Sequence, residues 1–455
     1  MNAWVKGGLA LGGLAVGLVV LRRALNPSPR YAPWEKPPYG DFENKVLVLG
    51  GGFGGYTAAK DLCELIKSRD DVGVLVLAKN NFFTFWPMVP GIVSSDIDAR
   101  NVAQPLRRAL ITAGASFRRA EGKKLDVEKQ VVVADGGIEF PYDHIVISLG
   151  GLPNFFGIPG VEDAERIRNR VIERFEEVSL IRGEVPESKL TFVVIGGGAT
   201  GVEVASEIHT LVHENLAPDY PNIDPHRVRI ILLEALPNIL PELDPALRKA
   251  ARARMVNQRI EVRTNAMAQE IIENCVKLKG GNDIPTENVI WTAGNRPNLG
   301  IEADRLPVDE RTGIKVDEYL RVEGYHNVWA IGDCAAVEDV REGQDGKVVP
   351  PTAQAAVQQG HVVARNVLAA IDGREDNLVR FEYRPLGQLV ELGSDFAVND
   401  VMGVRFTGLV AAIFWRMAYL VRLNSPQSKV RVAADWIVGL FLRPAVTQIR
   451  GTSER

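Results

Sequence analysis

The same glycine-rich turn occurs twice in this chain, and that repeat constrains the fold more than any other feature. The first copy is KVLVLGGGFGG, with Gly50, Gly52 and Gly55 in G-x-G-x-x-G register; the second is LTFVVIGGGATG, with Gly196, Gly198 and Gly201. Each follows a short β-branched run and opens a helix-like stretch, the context that gives the pattern meaning. In such a turn the first glycine allows the sharp strand-to-helix reversal. The second lets backbone approach a pyrophosphate, and the third lets helix and strand pack closely. The helix N-terminus adds unpaired N–H groups and a favourable dipole for phosphate. One turn of this kind holds one dinucleotide, so two point to electrons passing between two dinucleotides. The alternation of strand and helix predicts an α/β fold of doubly wound parallel sheets, with ligands at the strands' carboxyl ends.

The two turns differ in their partners. After the second, the apolar run VRIILLE ends on Glu234. An acid at that strand end accepts hydrogen bonds from both adenosine ribose hydroxyls and repels a 2′-phosphate, which favours NADH over NADPH. A solvated acid at a strand end is the plainer alternative. After the first turn the matching strand reads VGVLVLAKNN, so Ala78 and Lys79 stand where an acid is expected. Ala78 cannot bind a ribose hydroxyl, which leaves Lys79 or a backbone carbonyl as the substitute. Far downstream, YHNVWAIGDCAAV ends a strand on Gly332-Asp333, and PPTAQAAVQQG follows. A strand ending in Gly-Asp before a helix can hold a flavin's ribityl chain and pyrophosphate. Asp333 would accept from a hydroxyl while backbone N–H groups face phosphate.

With these marks in place the chain resembles the type II NADH:quinone oxidoreductases, single-subunit, non-pumping flavoproteins of respiratory membranes. The likeness runs from Lys45 to about Arg450, through the paired turns, LAKNNFFTFWPMVPG, WTAGNRPN, AIGDCA, PPTAQAAVQQG and a hydrophobic, basic tail. It implies non-covalent FAD at the first turn, NADH as co-substrate at the second, and a membrane quinone as acceptor. It also implies that Glu203 faces the nicotinamide–flavin stack and serves NADH positioning or proton handling; the alternative is an ordinary first-turn helix acid. Gly294 would let backbone approach the nicotinamide. Gln354 and Gln358, spaced to face the same way on one helix, would lie at the flavin end of a quinone tunnel; a solvated glutamine-rich face is the alternative. In that family the position of Ala78 is usually acidic, so this chain departs there. Related flavoproteins with another donor or acceptor, such as sulfide:quinone reductases, share the two-dinucleotide plan. A non-enzymatic flavin- and NAD-binding redox sensor is a further alternative.

The 455 residues suffice for two or three domains, and a hydrophobic content of 46% with 24% charge is that of a globular protein. A net charge of −4 gives no support for nucleic-acid binding. From Arg405 onward, however, basic residues outnumber the two acids, Asp435 and Glu454. The runs GLVAAIFWRMAYLVRL and VAADWIVGLFLRPAV are too short to span a bilayer. They suit amphipathic helices lying in an anionic interface, with Trp, Phe and Leu on one side and Arg on the other. An oligomer interface is the alternative, and the resemblance implies both anchoring and a homodimer. Residues 7–21 form an apolar run before Arg22 and Arg23, read as an uncleaved anchor that keeps the body on the cytoplasmic side. The expected organisation is an anchor and Pro-rich linker (1–40), a flavin domain (41–153 and 324–400) and an inserted NADH domain (154–323). The membrane-associating region (401–455) completes it. Cys63, Cys275 and Cys334 form no C-x-x-C pair, so a redox-disulfide mechanism lacks its reagent. His209 and His213 lie one turn apart with no further ligand in view, so no metal site is expected.

Overall fold

Runs of consecutive apolar residues form the centres of two parallel sheets. The structure, a computed structural model, describes residues 38–153, 160–303, 305–341, 343–344 and 346–448. The expected anchor at 7–21 and nearly all of the linker lie outside these residues. Strands β1 (Asn44–Leu49), β2 (Val72–Ala78), β3 (Ser116–Arg119) and β4 (His144–Ile147) build the first sheet. Strands β5 (Thr191–Ile195), β6 (Arg229–Leu233), β7 (Ile260–Arg263) and β8 (Asn288–Trp291) build the second. The chain then returns, and β9 (Val328–Ala330) pairs parallel to β4 at the edge of the first sheet. The orders are β9-β4-β1-β2-β3 and β7-β6-β5-β8. Every position of β2 is buried, as a strand covered on both faces requires. In the second sheet, Val193, Ile195, Ile231 and Leu233 pack against Val276, Leu278 and Ile284 of a small antiparallel sheet.

Four helices position the site. Helix α1 (Phe53–Leu65) leaves the first glycine turn, α2 (Leu106–Ala113) lies beside it, α3 (Ala199–His209) leaves the second turn, and α4 (Ala353–Ile371) follows the Gly-Asp strand. Helix α4 starts where the Thr352 hydroxyl accepts the Ala355 N–H at 3.2 Å, a side-chain cap of the usual kind. It crosses α1 so closely that a Cβ on Gly360 would lie 2.8 Å from the Gly54 carbonyl oxygen. That contact brings two segments far apart in sequence to one end of the first sheet.

The C-terminal unit differs from expectation in two respects. Strands β10 (Gly387–Glu391), β11 (Ala397–Val401) and β12 (Val404–Gly408) form one antiparallel meander, followed by α5 (Leu409–Arg422) and α6 (Pro426–Gly439). A border at 400/401 would cut hydrogen-bonded strands whose backbone groups need one another, so the unit starts near Gly387. Second, Trp415 and Arg416 do not sit outward on α5. Trp415 is buried, and Arg416 turns in to place Nε 3.4 Å from the Glu391 carboxylate. A buried acid needs a counter-charge, and that need sets the helix's rotation. The outward face is left to Leu409, Val410, Ile413, Met417 and Val421. No described helix is long and apolar enough to cross a membrane.

A Cβ on Gly55 would lie 2.1 Å from the Gly50 carbonyl oxygen, whereas one on Gly52 would meet nothing within 4 Å. Gly55→Ala is therefore expected to cost about 3 kcal/mol or more of stability. Gly52→Ala, at φ −75° and with nothing to clash with, should cost no more than about 1 kcal/mol in calorimetry, the weaker N-cap preference of alanine.

Candidate active site

The two glycine turns share one geometry. Gly50 and Gly196 have φ of +112° and +116°, open to glycine and strained for any other residue. A Cβ on Gly201 would lie 1.8 Å from the Gly196 carbonyl oxygen, matching the Gly55–Gly50 contact. Gly52 and Gly198 are the N-caps of α1 and α3; neither helix start is capped by a side chain, and both glycines face open space. Each turn thus presents the uncapped N–H groups of a helix start beside glycines with room in front of them, which fits a pyrophosphate.

The neighbouring strand ends separate the two sites. The Gly50 N–H donates to the Leu77 carbonyl and the Gly196 N–H to the Leu233 carbonyl, both at 2.8 Å, so Ala78 and Glu234 are equivalent positions. The Glu234 carboxylate accepts from the N–H groups of Gly197 (2.6 Å) and Leu236 (2.7 Å) and is thereby fixed against the turn. At the first turn this space is filled by Leu106 from α2. A Cβ on Gly51 would meet Leu106 Cδ1 at 2.6 Å and the Ala78 Cβ at 3.3 Å, where one on Gly197 would meet Glu234. Lys79 points to solvent and pairs with Glu121 at 3.4 Å.

The carboxyl ends of the two sheets meet at Asp333. Asn295, just beyond β8, donates from Nδ2 to the Asp333 carboxylate at 3.0 Å. Gly294 before it has φ +76°, and the segment Asn295–Pro297 pairs antiparallel with Gly151–Pro153. Burial raises the Asp333 carboxyl above the usual carboxylate range. The Gly332 N–H donates to Gln359 Oε1 at 2.6 Å, and these residues with Ala355 and Ala356 line a cavity of about 240 Å³. Cys334 behind them is a free, buried thiol pushed up to about 11 by burial, so it stays protonated.

Gln354 and Gln358 share a face of α4 and clamp the chain ahead of β10. Gln354 donates to the Gly387 carbonyl at 3.2 Å and accepts from the Leu386 N–H. Gln358 donates to the Arg384 carbonyl (2.8 Å) and accepts from its N–H (3.0 Å). Neither amide lies idle on a solvated face. Glu203 is buried in α3, not solvated in a first turn; Oε1 accepts from the Glu391 N–H at 3.2 Å, and burial holds its carboxyl well above the usual range. The His209 and His213 rings lie 4.5 Å apart, burial lowers His209 to about 4, and no group of metal-ligating side chains occurs among the described residues. Sequence reasoning passed over Leu106, Asn295, Gln359 and Glu391. Asn295 and Gln359 sit inside motifs already singled out, and Glu391 is the lone acid in the apolar strand GQLVE. Leu106 carries no signal of its own.

Comparison with known proteins agrees with this geometry. The family described as pyridine nucleotide-disulphide oxidoreductase matches residues 44–360, and the NDH2 C-terminal domain matches 386–443. Fold and site thus define a flavoprotein of the two-dinucleotide class. A probable NADH dehydrogenase of Dictyostelium discoideum is 32% identical over 413 residues, 86% of this chain and 88% of that protein. A type II NADH:quinone oxidoreductase of Mycobacterium tuberculosis is 29% identical over 437 residues, 90% of each chain. The structure of NDH2 from Plasmodium falciparum in complex with NADH shares the fold, with a TM-score of 0.78 at 19% identity, covering 89% of this chain and 100% of that one. The chain belongs to the pyridine nucleotide-disulphide oxidoreductase family, in its type II NADH:quinone oxidoreductase branch.

Because Leu106 occupies the place of the missing acid, Ala78→Glu alone is expected to overpack the turn and cost about 1–3 kcal/mol. Adding Leu106→Ala should recover part of that loss, read as two melting temperatures against the parent protein.

Proposed function

We propose that this protein is a membrane-attached flavoenzyme that oxidises NADH and reduces a membrane quinone by two electrons, without pumping protons. The hydrogen bond between Asn295 and Asp333 carries the reading, because it joins the carboxyl ends of the two dinucleotide sheets. Bound FAD supplies the redox chemistry, taking a hydride from NADH and passing two electrons to quinone.

The chain's own residues bind and orient. Gly50, Gly52, Gly55 and the start of α1 hold the FAD pyrophosphate, while Asp333 and the Gly332 backbone hold the ribityl end. Lys79 would have to turn from Glu121 to serve the adenosine ribose in place of the missing acid. Gly196, Gly198, Gly201 and Glu234 hold NADH, and the carboxylate of Glu234 disfavours a 2′-phosphate. Gly294 would give the nicotinamide room at the backbone, and Glu203 would serve NADH positioning or proton handling beside the rings. Gln354 and Gln358 each keep one amide N–H beyond their clamp, which can meet a quinone carbonyl. An aromatic series leads from the first cradle toward α5: Phe53 to Phe85 (5.8 Å between ring centres), Phe85 to Tyr419 (6.0 Å) and Tyr419 to Trp415 (4.8 Å). It offers an apolar wall along which a quinone can approach.

The outward face of α5, with Val430, Ile437, Val438 and the 81%-exposed Phe441, forms a patch bordered by Arg422, Lys429, Arg431 and Arg443. A lipid surface suits that combination. From the resemblance we also expect a homodimer, and from Arg22 and Arg23 a body on the cytoplasmic side of the membrane.

The test is anaerobic mixing of the flavin-loaded protein with NADH, then with a short-chain quinone. NADH should bleach the flavin spectrum and quinone should restore it; bleaching without recovery would remove quinone as acceptor. Glu234→Gln is expected to raise KM for NADH about tenfold, the loss of a hydrogen bond to a charged group, and to narrow the preference over NADPH.

A further inference from the structure

Reduction of a quinone by NADH consumes a proton from solvent. NADH, H⁺ and quinone give NAD⁺ and quinol: the hydride brings two electrons and one proton, and the second proton must come through the protein. An unusual set of buried and half-buried charged groups lies between α3, the segment after Gly91–Ser94, β10 and α5. Glu203 and Glu207 stand one turn apart on α3, and both are buried. The Glu203 carboxylate meets the Glu391 N–H, and the Glu391 carboxylate lies 3.4 Å from Arg416 Nε. The backbone N–H of Asp96 donates to the Ser94 hydroxyl at 3.3 Å, and the half-buried Asp96 carboxyl is close enough to act electrostatically on Arg416, Glu207 and Glu391.

One guanidinium can balance one carboxylate. Ionising all four acids would strand several unpaired charges away from bulk water, which is strongly unfavourable. The group therefore retains protons at neutral pH. Burial, and then the neighbouring carboxyls, raise Glu207 well above the usual range; burial raises Asp96, and raises Glu391 to about 8 against the pull of Arg416. The Tyr419 phenol, also raised, faces Glu203 and Glu391 from α5, with Arg422 near it. Toward solvent, Glu214 follows on the same chain segment as α3, its carboxyl raised and flanked by Asp96, Asp395 and Arg254.

Strand β10 connects this group to the reaction. Its first residue, Gly387, is held by Gln354, and its last, Glu391, touches Glu203.

We propose that Glu391, Glu207 and Asp96, gathered round Arg416 under helix α5, form a proton store that refills Glu203 during quinone reduction. The proposal rests on the NADH:quinone reading. It assigns Glu391 a positioning and relay role: its backbone N–H holds Glu203 while its carboxyl lies at Arg416, and it does not touch the substrates.

The test follows the two half-reactions of the flavin-loaded full chain by stopped flow from pH 5.5 to 9. Glu391→Gln keeps the shape and removes the exchangeable proton. Bleaching by NADH should be unchanged, and recolouring by quinone should slow roughly tenfold to a hundredfold. In the parent enzyme recolouring should weaken as pH rises through about 8, where Glu391 loses its proton; in the variant that limb should vanish. Glu207→Gln should slow recolouring in the same way and provides a second variant should Glu391→Gln fold poorly. Equal slowing of both half-reactions, or an unchanged pH profile, would overturn the proposal in favour of a packing role. The infrared spectrum at pH 7 supplies a readout independent of turnover. A protonated-carboxyl band, reduced in Glu391→Gln, is expected, and a parent spectrum without it would also overturn the store. If the parent flavin is not bleached by NADH the functional reading fails, and that failure is seen separately from the band.

Discussion

Two missing side chains hold the architecture together. The Gly50 carbonyl occupies the space where a Cβ on Gly55 would sit, and the Gly196 carbonyl does the same at Gly201. These contacts pull each helix onto its strand and place its uncapped N-terminus over the sheet's carboxyl end. At the second turn the effect spreads. The Thr292 hydroxyl donates to the Ile195 carbonyl at 2.9 Å and would lie 2.7 Å from a Cβ on Gly201. The loop after β8 is therefore seated on the same contact, and it carries Asn295 to Asp333. The junction between the two halves thus depends on a turn in one of them.

Equivalent backbones then carry different chemistry. At Glu234 a carboxylate takes two backbone N–H groups, a charge-assisted arrangement that fixes it for polar recognition. At Ala78 the same volume is filled by Leu106, which is buried almost completely and contributes about 1.5–3 kcal/mol of apolar burial. The first site has exchanged a polar handle for packing. Its specific polar contacts concentrate instead at the far end, where Gly332 is fixed by Gln359 and Asp333 by Asn295.

Much of this was legible in the sequence because it depends on near neighbours along the chain. Continuous apolar runs give parallel strands, the glycine turns give the cradles, and the Gly-Asp strand does return to the first sheet. The acid at Glu234 and its absence at Ala78 fall at matching positions. The remainder depends on contacts between distant segments, which leave no period to read. Nothing in the first residue of α2 announces that it replaces a carboxylate twenty-eight places earlier. Strand β10 alternates, but alternation does not say which face is covered, so Glu391 reads as a solvated acid until α3 and α5 are in place. Arg416 breaks an apolar run and reads as a polar edge, although the Glu391 carboxylate turns it inward. The spacing of Gln354 and Gln358 places them on one face of α4; the segment that they clamp lies beyond any helical pattern.

Helix α5 shows why these long-range contacts matter. Its outer face is apolar, whereas its inner face delivers the guanidinium nearest to a set of buried acids. Those acids do not serve stability. Their carboxyls are raised on folding, so the native state holds protons that the unfolded chain releases above the ordinary carboxylate range. The linkage is therefore unfavourable to the fold as pH rises, until Glu391 itself ionises near 8. Replacing a buried ionic group by apolar residues of similar volume is often neutral or stabilising, and a chain selected for rigidity alone could have filled the space that way. Four acids around one cation are a poor way to close a core. They are a good way to keep protons within reach of a site that consumes them, and their place beside Glu203 gives the arrangement its reason.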